Sequence, residues 1–164
     1  MRQRGEAFPS AELVAAAAKG EVPRLRALLD AGADPDSTDG SLTALQRACA
    51  ERQPEAADVR LTAGASVSLI SPGRATNGMA ALHFAARAGP RRLVAMLLES
   101  AADPAQAGTD GMLPLDRVSF LTRDMVGVQR LLRTRMRERT TLEGWLIKLG
   151  SERKTWRRRY CVLL

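Results

Sequence analysis

Hydrophobic positions along most of this chain recur with the spacing of amphipathic helices. Leu25, Leu28 and Leu29 share one helical face, as do Leu93, Val94, Leu97 and Leu98. Val128, Leu131, Leu132 and Met136 form a further stripe at i, i+3, i+4 and i+8. Pro23, Pro54 and Pro90 each stand where an outer helix would begin, a position at which a missing N–H costs little. From Thr141 to Leu164 the period changes. "EGWLIKLG" alternates apolar and polar residues, and "TWRRRYCVLL" is rich in aromatic and apolar ones. This predicts two β-strands joined by a turn that opens at Gly150-Ser151.

The helical stripes belong to a repeat. Leu13, Leu45 and Leu82 are each followed by two small residues: Ala16-Ala17, Ala48-Cys49 and Ala85-Ala86. Each block ends on a related triplet: Gly32-Ala33-Asp34, Gly64-Ala65-Ser66 or Ala101-Ala102-Asp103. The interval from the small pair to the triplet is identical in all three, from Ala16 to Gly32, Ala48 to Gly64 and Ala85 to Ala101. The pairs Asp39-Gly40, Asn77-Gly78 and Asp110-Gly111 suit tight turns with positive φ. Their two intervals are unequal. The longer, from Gly40 to Gly78, holds an insertion near "LISPGRA", a loop by composition. A fourth unit starts at "DGMLPLDRVSF" and continues into "DMVGVQRLLRTRMRE".

A unit of about 33 residues with a turn and two helices resembles the ankyrin repeat. The resemblance runs over Ser10–Glu138 and implies a mainly α solenoid of about four units. It also implies a non-enzymatic module that binds a protein partner through a concave face and finger loops. The Thr-Pro-Leu-His tetrad of that family reads "TALQ" at Thr43–Gln46, "AALH" at Ala80–His83 and "LPLD" at Leu113–Asp116. Its hydrogen bonds are therefore expected to be partly absent. Leu28 and Leu29 are expected to be buried against the next repeat. Asp58 and Arg60 stand where the second repeat wants apolar side chains, which marks it as the weakest unit. Arg130, Arg133, Arg135, Arg137 and Arg139 lie mostly off the fourth unit's apolar stripe, as befits the wet outer face of a terminal repeat.

Residues 1–9 read as a tail and 139–164 as a second module. Alternation along the second strand puts Arg157 and Arg159 on one face, and Lys148 closes the first strand beside the turn. These three cations form a plausible cradle for a multiply phosphorylated headgroup. The segment Thr141–Leu164 resembles the first two strands of a pleckstrin-homology (PH) domain. It is particularly similar to the cytohesin type, with "GWL-K-G---KTW-RR" in register. That resemblance implies phosphoinositide binding through Lys148, Arg157 and Arg159, with Lys154 at a basic loop position. A PH domain needs about five further strands and a helix, so the hairpin is expected to be an incomplete module, as in a fragment or a truncated gene product. A lone hairpin is marginal in water.

Charge sharpens this division. Residues 1–122 carry 13 Lys and Arg against 14 Asp and Glu, whereas residues 123–164 carry 12 against 4. The whole net charge of +7 therefore comes from the last quarter and points that part toward an anionic partner. Apolar residues make up 45% of the chain and aromatics 4%, which favours closely packed helices. Cys49 and Cys161 offer neither a disulfide framework nor a zinc spacing, which suggests a reducing, cytoplasmic setting. No secretory leader and no run of about 18 apolar residues is present, leaving peripheral membrane contact as the expected mode.

No catalytic constellation stands out. His83 is the single histidine and holds the tetrad position that makes a local turn bond; Cys49 and Cys161 read as small core residues. "GSERKTW" lacks the spacing of a phosphate-binding loop. No cofactor is expected. The favoured reading is a non-enzymatic adaptor that joins a protein partner to phosphoinositide membrane. Two alternatives stay open: the N-terminal part of a larger enzyme or of a lipid-transfer or Arf-regulating protein, and a basic nucleic-acid binder acting through Arg130–Arg139.

Overall fold

The computed structural model describes residues 10–71, 73–118 and 124–142. Among the described residues seven α-helices follow one another: α1 (Ser10–Lys19), α2 (Val22–Asp30), α3 (Ala44–Ala50), α4 (Pro54–Thr62), α5 (Ala81–Ala88), α6 (Arg91–Glu99) and α7 (Met125–Leu142). A short 3-10 helix, Pro114–Arg117, precedes α7. The helices form two layers. An inner row runs α1, α3, α5 and the 3-10 helix, each touching the next, and an outer row runs α2, α4, α6 and α7. The two rows join pairwise within each repeat. This is the mainly α solenoid expected from the constant interval between small pair and triplet.

Small residues make the inner row possible. Ala16, Ala17, Ala48, Cys49, Ala85 and Ala86 are all buried, so successive inner helices meet at nearly bare backbone. Leu13, Leu45 and Leu82 fill the same layer. Burial alone pushes the Cys49 thiol up to about 12. In the outer row, Leu93, Val94, Leu97 and Leu98 are all buried on α6. On α7 the expected stripe is seen too. Val128 and Leu132 are buried, Leu131 and Met136 are partly so, and Arg130, Arg133, Arg135 and Arg137 face solvent.

Four details differ from the expectation. Leu25 is the buried residue of α2, while Leu28 and Leu29 are only half-buried, because among the described residues α2 has an outer-row neighbour on one side alone. Asp58 is exposed; only Arg60 faces the core. Positions i and i+2 of a helix are separated by about 200°, so both could not point inward. The fourth unit's first helix is represented by one 3-10 turn, with Pro114 in its first position and Val118 where the other units carry an alanine of the small pair. Finally, α7 runs to Leu142, past the boundary expected at Glu138 and over Thr141 and Leu142, which continue a helix and open no strand. The expected hairpin proper, Glu143–Leu164, lies outside the described residues.

The chain reverses at the end of each outer helix through the left-handed region. Gly32 (φ 95°) and Gly64 (φ 85°) take this conformation freely, and Ala101 (φ 63°) takes it against its Cβ.

Candidate functional site

Loops connect each outer helix to the next inner one: residues 31–43, 63–80 and 100–113. They project as three fingers from the same end of the stack, since α2, α4 and α6 all end there. What holds them is the tetrad at the start of each inner helix.

At Thr43–Gln46 the reciprocal cap is complete. The Gln46 N–H donates to Thr43 Oγ1 (3.2 Å), and the Thr43 N–H donates to Gln46 Oε1 (2.9 Å). At Ala80 no hydroxyl exists, but the Ala80 N–H still donates to His83 Nδ1 (3.1 Å). At Leu113 the N–H donates to Asp116 Oδ2 (2.9 Å). The tetrad's hydroxyl bond is thus kept only at Thr43, as expected, while the fourth-position bond survives in all three variants. Glutamine, histidine and aspartate each place an acceptor within reach of an N–H three positions earlier.

The buried fourth residue also reaches the neighbouring finger. Gln46 Nε2 donates to the carbonyls of Leu69 (2.8 Å) and Met79 (3.4 Å). His83 Nε2 meets the carbonyl of Met112 at 3.1 Å. Because Nδ1 accepts from Ala80, Nε2 must carry the proton, so the imidazole is neutral. Burial pushes its pKa below the usual value, and Arg117 adds to this; the bond to the Met112 carbonyl and the Asp110 charge oppose it.

The fingers are then stitched to one another. Ser66 N–H donates to Asp36 Oδ1 (2.8 Å) between the first and second. Between the second and third, Gln106 Nε2 donates to the Ser68 carbonyl (2.8 Å) and the Thr109 N–H to the Asn77 carbonyl (2.8 Å). At Gly78 (φ 58°) a Cβ would sit 2.5 Å from Thr109 Cγ2, so this approach requires glycine. Within the first finger, Asp39 accepts from the N–H groups of Ser41 (2.8 Å) and Leu42 (2.9 Å) and pairs with Arg47 (2.9 Å). Burial alone would raise the Asp39 pKa, but the Leu42 and Ser41 N–H groups and Arg47 hold it below the usual carboxylate range. Asp110 of the third finger pairs with Arg117 of the 3-10 helix.

On this pinned frame sit large apolar side chains in solvent. Among the described residues the exposed large hydrophobics are Leu69 (38%), Ile70 (51%), Met112 (39%) and Val126 (62%). All but Val126 are on the second and third fingers. The backbone of two of them, Leu69 and Met112, is fixed from below by Gln46 and His83, so part of the ordering cost of a contact is already met. Sequence reading missed these residues. Their one signal was an apolar pair, Leu69-Ile70, inside a stretch with loop composition.

The site residues expected from sequence, Lys148, Lys154, Arg157 and Arg159, lie outside the described residues. Among the described residues no group of three His, Cys, Asp or Glu could hold a metal ion, and no helix is long and apolar enough to cross a membrane.

A two-layer helical stack with fingers pinned by the head of each inner helix defines a repeat solenoid of the interaction type. The family described as "Ankyrin repeats (3 copies)" matches residues 13–108, more than half of the chain, and the protein belongs to it. No curated protein matches the chain.

Proposed function

We propose that this protein is a non-catalytic adaptor whose finger loops dock a protein partner. A basic C-terminal segment of the same chain then brings the complex to an anionic, phosphoinositide-bearing membrane. The observation that carries the first half is the concentration of exposed Leu69, Ile70 and Met112 on fingers whose backbone is hydrogen-bonded to buried Gln46 and His83. Apolar side chains left in water on a rigid frame fit an interface rather than a fold. Membership of the ankyrin-repeat family supports the same reading, because such repeats serve as protein-interaction modules.

The second half rests on sequence. Residues 123–164 hold all of the net positive charge, and Lys148, Lys154, Arg157 and Arg159 match the PH-like pattern.

A photo-crosslinking side chain at position 70 or 112 should capture a protein partner in cells, and one at exposed position 26 should not. Equal capture from all three positions would remove the fingers from the function. For the membrane half, vesicle co-sedimentation should weaken as salt rises. It should fall further in Lys148→Ala, Arg157→Ala and Arg159→Ala than in Arg135→Ala. Equal losses would reduce the tail to non-specific charge.

A further inference from the structure

The outer helices keep step until the last one. Arg91 and Glu99, the ends of α6, align with Met125 and Arg133 of α7 at one constant offset. At the same offset, buried Val94 and Leu98 align with buried Val128 and Leu132. At the position where α6 stops and its finger begins, α7 continues through positions 134–142. At 1.5 Å per residue this overhang is about 13 Å long. It leaves the stack at the finger end, beside the third finger, where a further finger would otherwise depart. Arg133 stands at the base of the overhang, and Arg133, Arg135 and Arg137 are exposed. Arg135 has a partner on the same helix, Glu138, at 3.3 Å, and Arg137 is engaged as well. Positions 123–142 carry six arginines against Asp124 and Glu138.

The two edges of the finger end differ in charge. The first finger bears Asp34, Asp36 and Asp39; the second and third present Leu69, Ile70 and Met112, the third also carrying Asp103 and Asp110, the latter paired with Arg117; and the α7 overhang is basic. Resting on the docking function proposed above, we infer that this end takes a partner segment with a bulky apolar centre and acidic residues on one flank only. The apolar centre covers Ile70 and Met112. The acidic flank meets Arg133 and Arg137, since at the other end the aspartates of the first finger would repel it. The arginines thus fix the direction in which the segment lies as well as its affinity.

A display selection of random short peptides on the full chain tests this. The enriched peptides should pair bulky apolar residues with Asp or Glu on one side. Their binding should weaken by about tenfold or more in Ile70→Ser and in the double variant Arg133→Glu/Arg137→Glu, as expected for anchor and charge contacts. Val126→Ser, exposed at the other end of α7, should leave it unchanged. All the substituted residues are exposed, and unchanged melting curves verify the fold. Peptides that need Ile70 but lack acidic residues, or that ignore the arginine reversals, overturn the inference and leave finger docking standing. Peptides indifferent to Ile70→Ser, or no enrichment over an unrelated protein, overturn both.

Discussion

In the second repeat the inner helix begins with a full reciprocal cap, Thr43 with Gln46, and the outer helix ends on Gly64 at φ 85°. Its outer helix α4, however, buries only Ala56, Ala57 and Arg60. In the third repeat the outer helix buries Leu93, Val94, Leu97 and Leu98, while the inner helix starts at Ala80, which has no hydroxyl, and the outer one ends against Ala101 at φ 63°. One repeat has good ends and a poor core; its neighbour has a good core and poor ends. Since repeat stability is roughly a sum of units and their interfaces, the two deficits need not coincide for the stack to hold. A cap contributes about 1 kcal/mol, whereas a buried leucine contributes more, so the third repeat is the stronger of the pair.

Several substitutions can break or sharpen this contrast. The largest effect should come from Leu97→Ala, which removes a fully buried side chain and should destabilise the protein by about 2–4 kcal/mol in urea unfolding. A loss below about 1 kcal/mol would mean that α6 does not carry the stack.

Next comes Arg60. It follows Ala48 at the interval by which Leu28 follows Ala16 and Leu97 follows Ala85. It is completely buried; Nη2 donates to the Pro35 carbonyl, and Nε and Nη1 have no hydrogen-bond partner among the described residues. Burial pushes its pKa down to about 10, against the opposing pull of Asp36 and Asp34. Arg60→Leu should stabilise the protein by about 1–3 kcal/mol, because a buried charge without full pairing is replaced by apolar contact. Amides in 56–61 should exchange faster than those in 93–98, and the substitution should narrow the gap. Destabilisation by Arg60→Leu would show that the guanidinium is a structural post for the first finger.

The third effect depends on pH. Folding lowers the pKa of His83, so the folded state binds its proton less readily than the unfolded chain does. Above the unfolded value of about 6.5 both states are neutral, and the stability is fully present. As pH falls below it, the unfolded chain takes up the proton first and stability declines until the folded imidazole also titrates. Asp110, whose pKa is lowered chiefly by the Met112 N–H and then by Arg117, stays ionised through the upper part of that window. His83→Gln should flatten the decline between about pH 6.5 and 5 while keeping the acceptor for Ala80, as Gln46 does one repeat earlier. An unchanged pH profile would assign the dependence elsewhere. The smallest effect is Ala101→Gly, expected to add about 0.5–1 kcal/mol by relieving the left-handed residue. A loss in thermal melting would show that the methyl group is needed for packing.

Local spacing made most of this fold readable. Small pairs, turn dipeptides and apolar stripes each act within a few residues, and the helices that they predict are present. Asp58 departs from the expectation because α4 is not uniformly inward-facing, and its angle from Arg60 already separates the two. The half-burial of Leu28 and Leu29 depends on how many repeats flank them, which no local pattern records. The same holds for the candidate site. That Gln46 and His83 start helices could be read from the tetrad. That their far nitrogens reach the distant carbonyls of Leu69 and Met112 could not. The overhang of α7 was hidden because Thr141 and Leu142 suit a strand as well as a helix.

Cys49 gives the stack an internal clock. Its sulfur is sealed between successive inner helices, with a pKa of about 12, so almost no thiolate forms and no reagent reaches it while the row is closed. With Cys161 replaced by serine, Cys49 is the chain's remaining thiol. Every alkylation event would then report that the inner row had parted around α3. Where closing outpaces alkylation, the rate of labelling divided by that of a free thiol gives the fraction of time for which the middle of the solenoid is open.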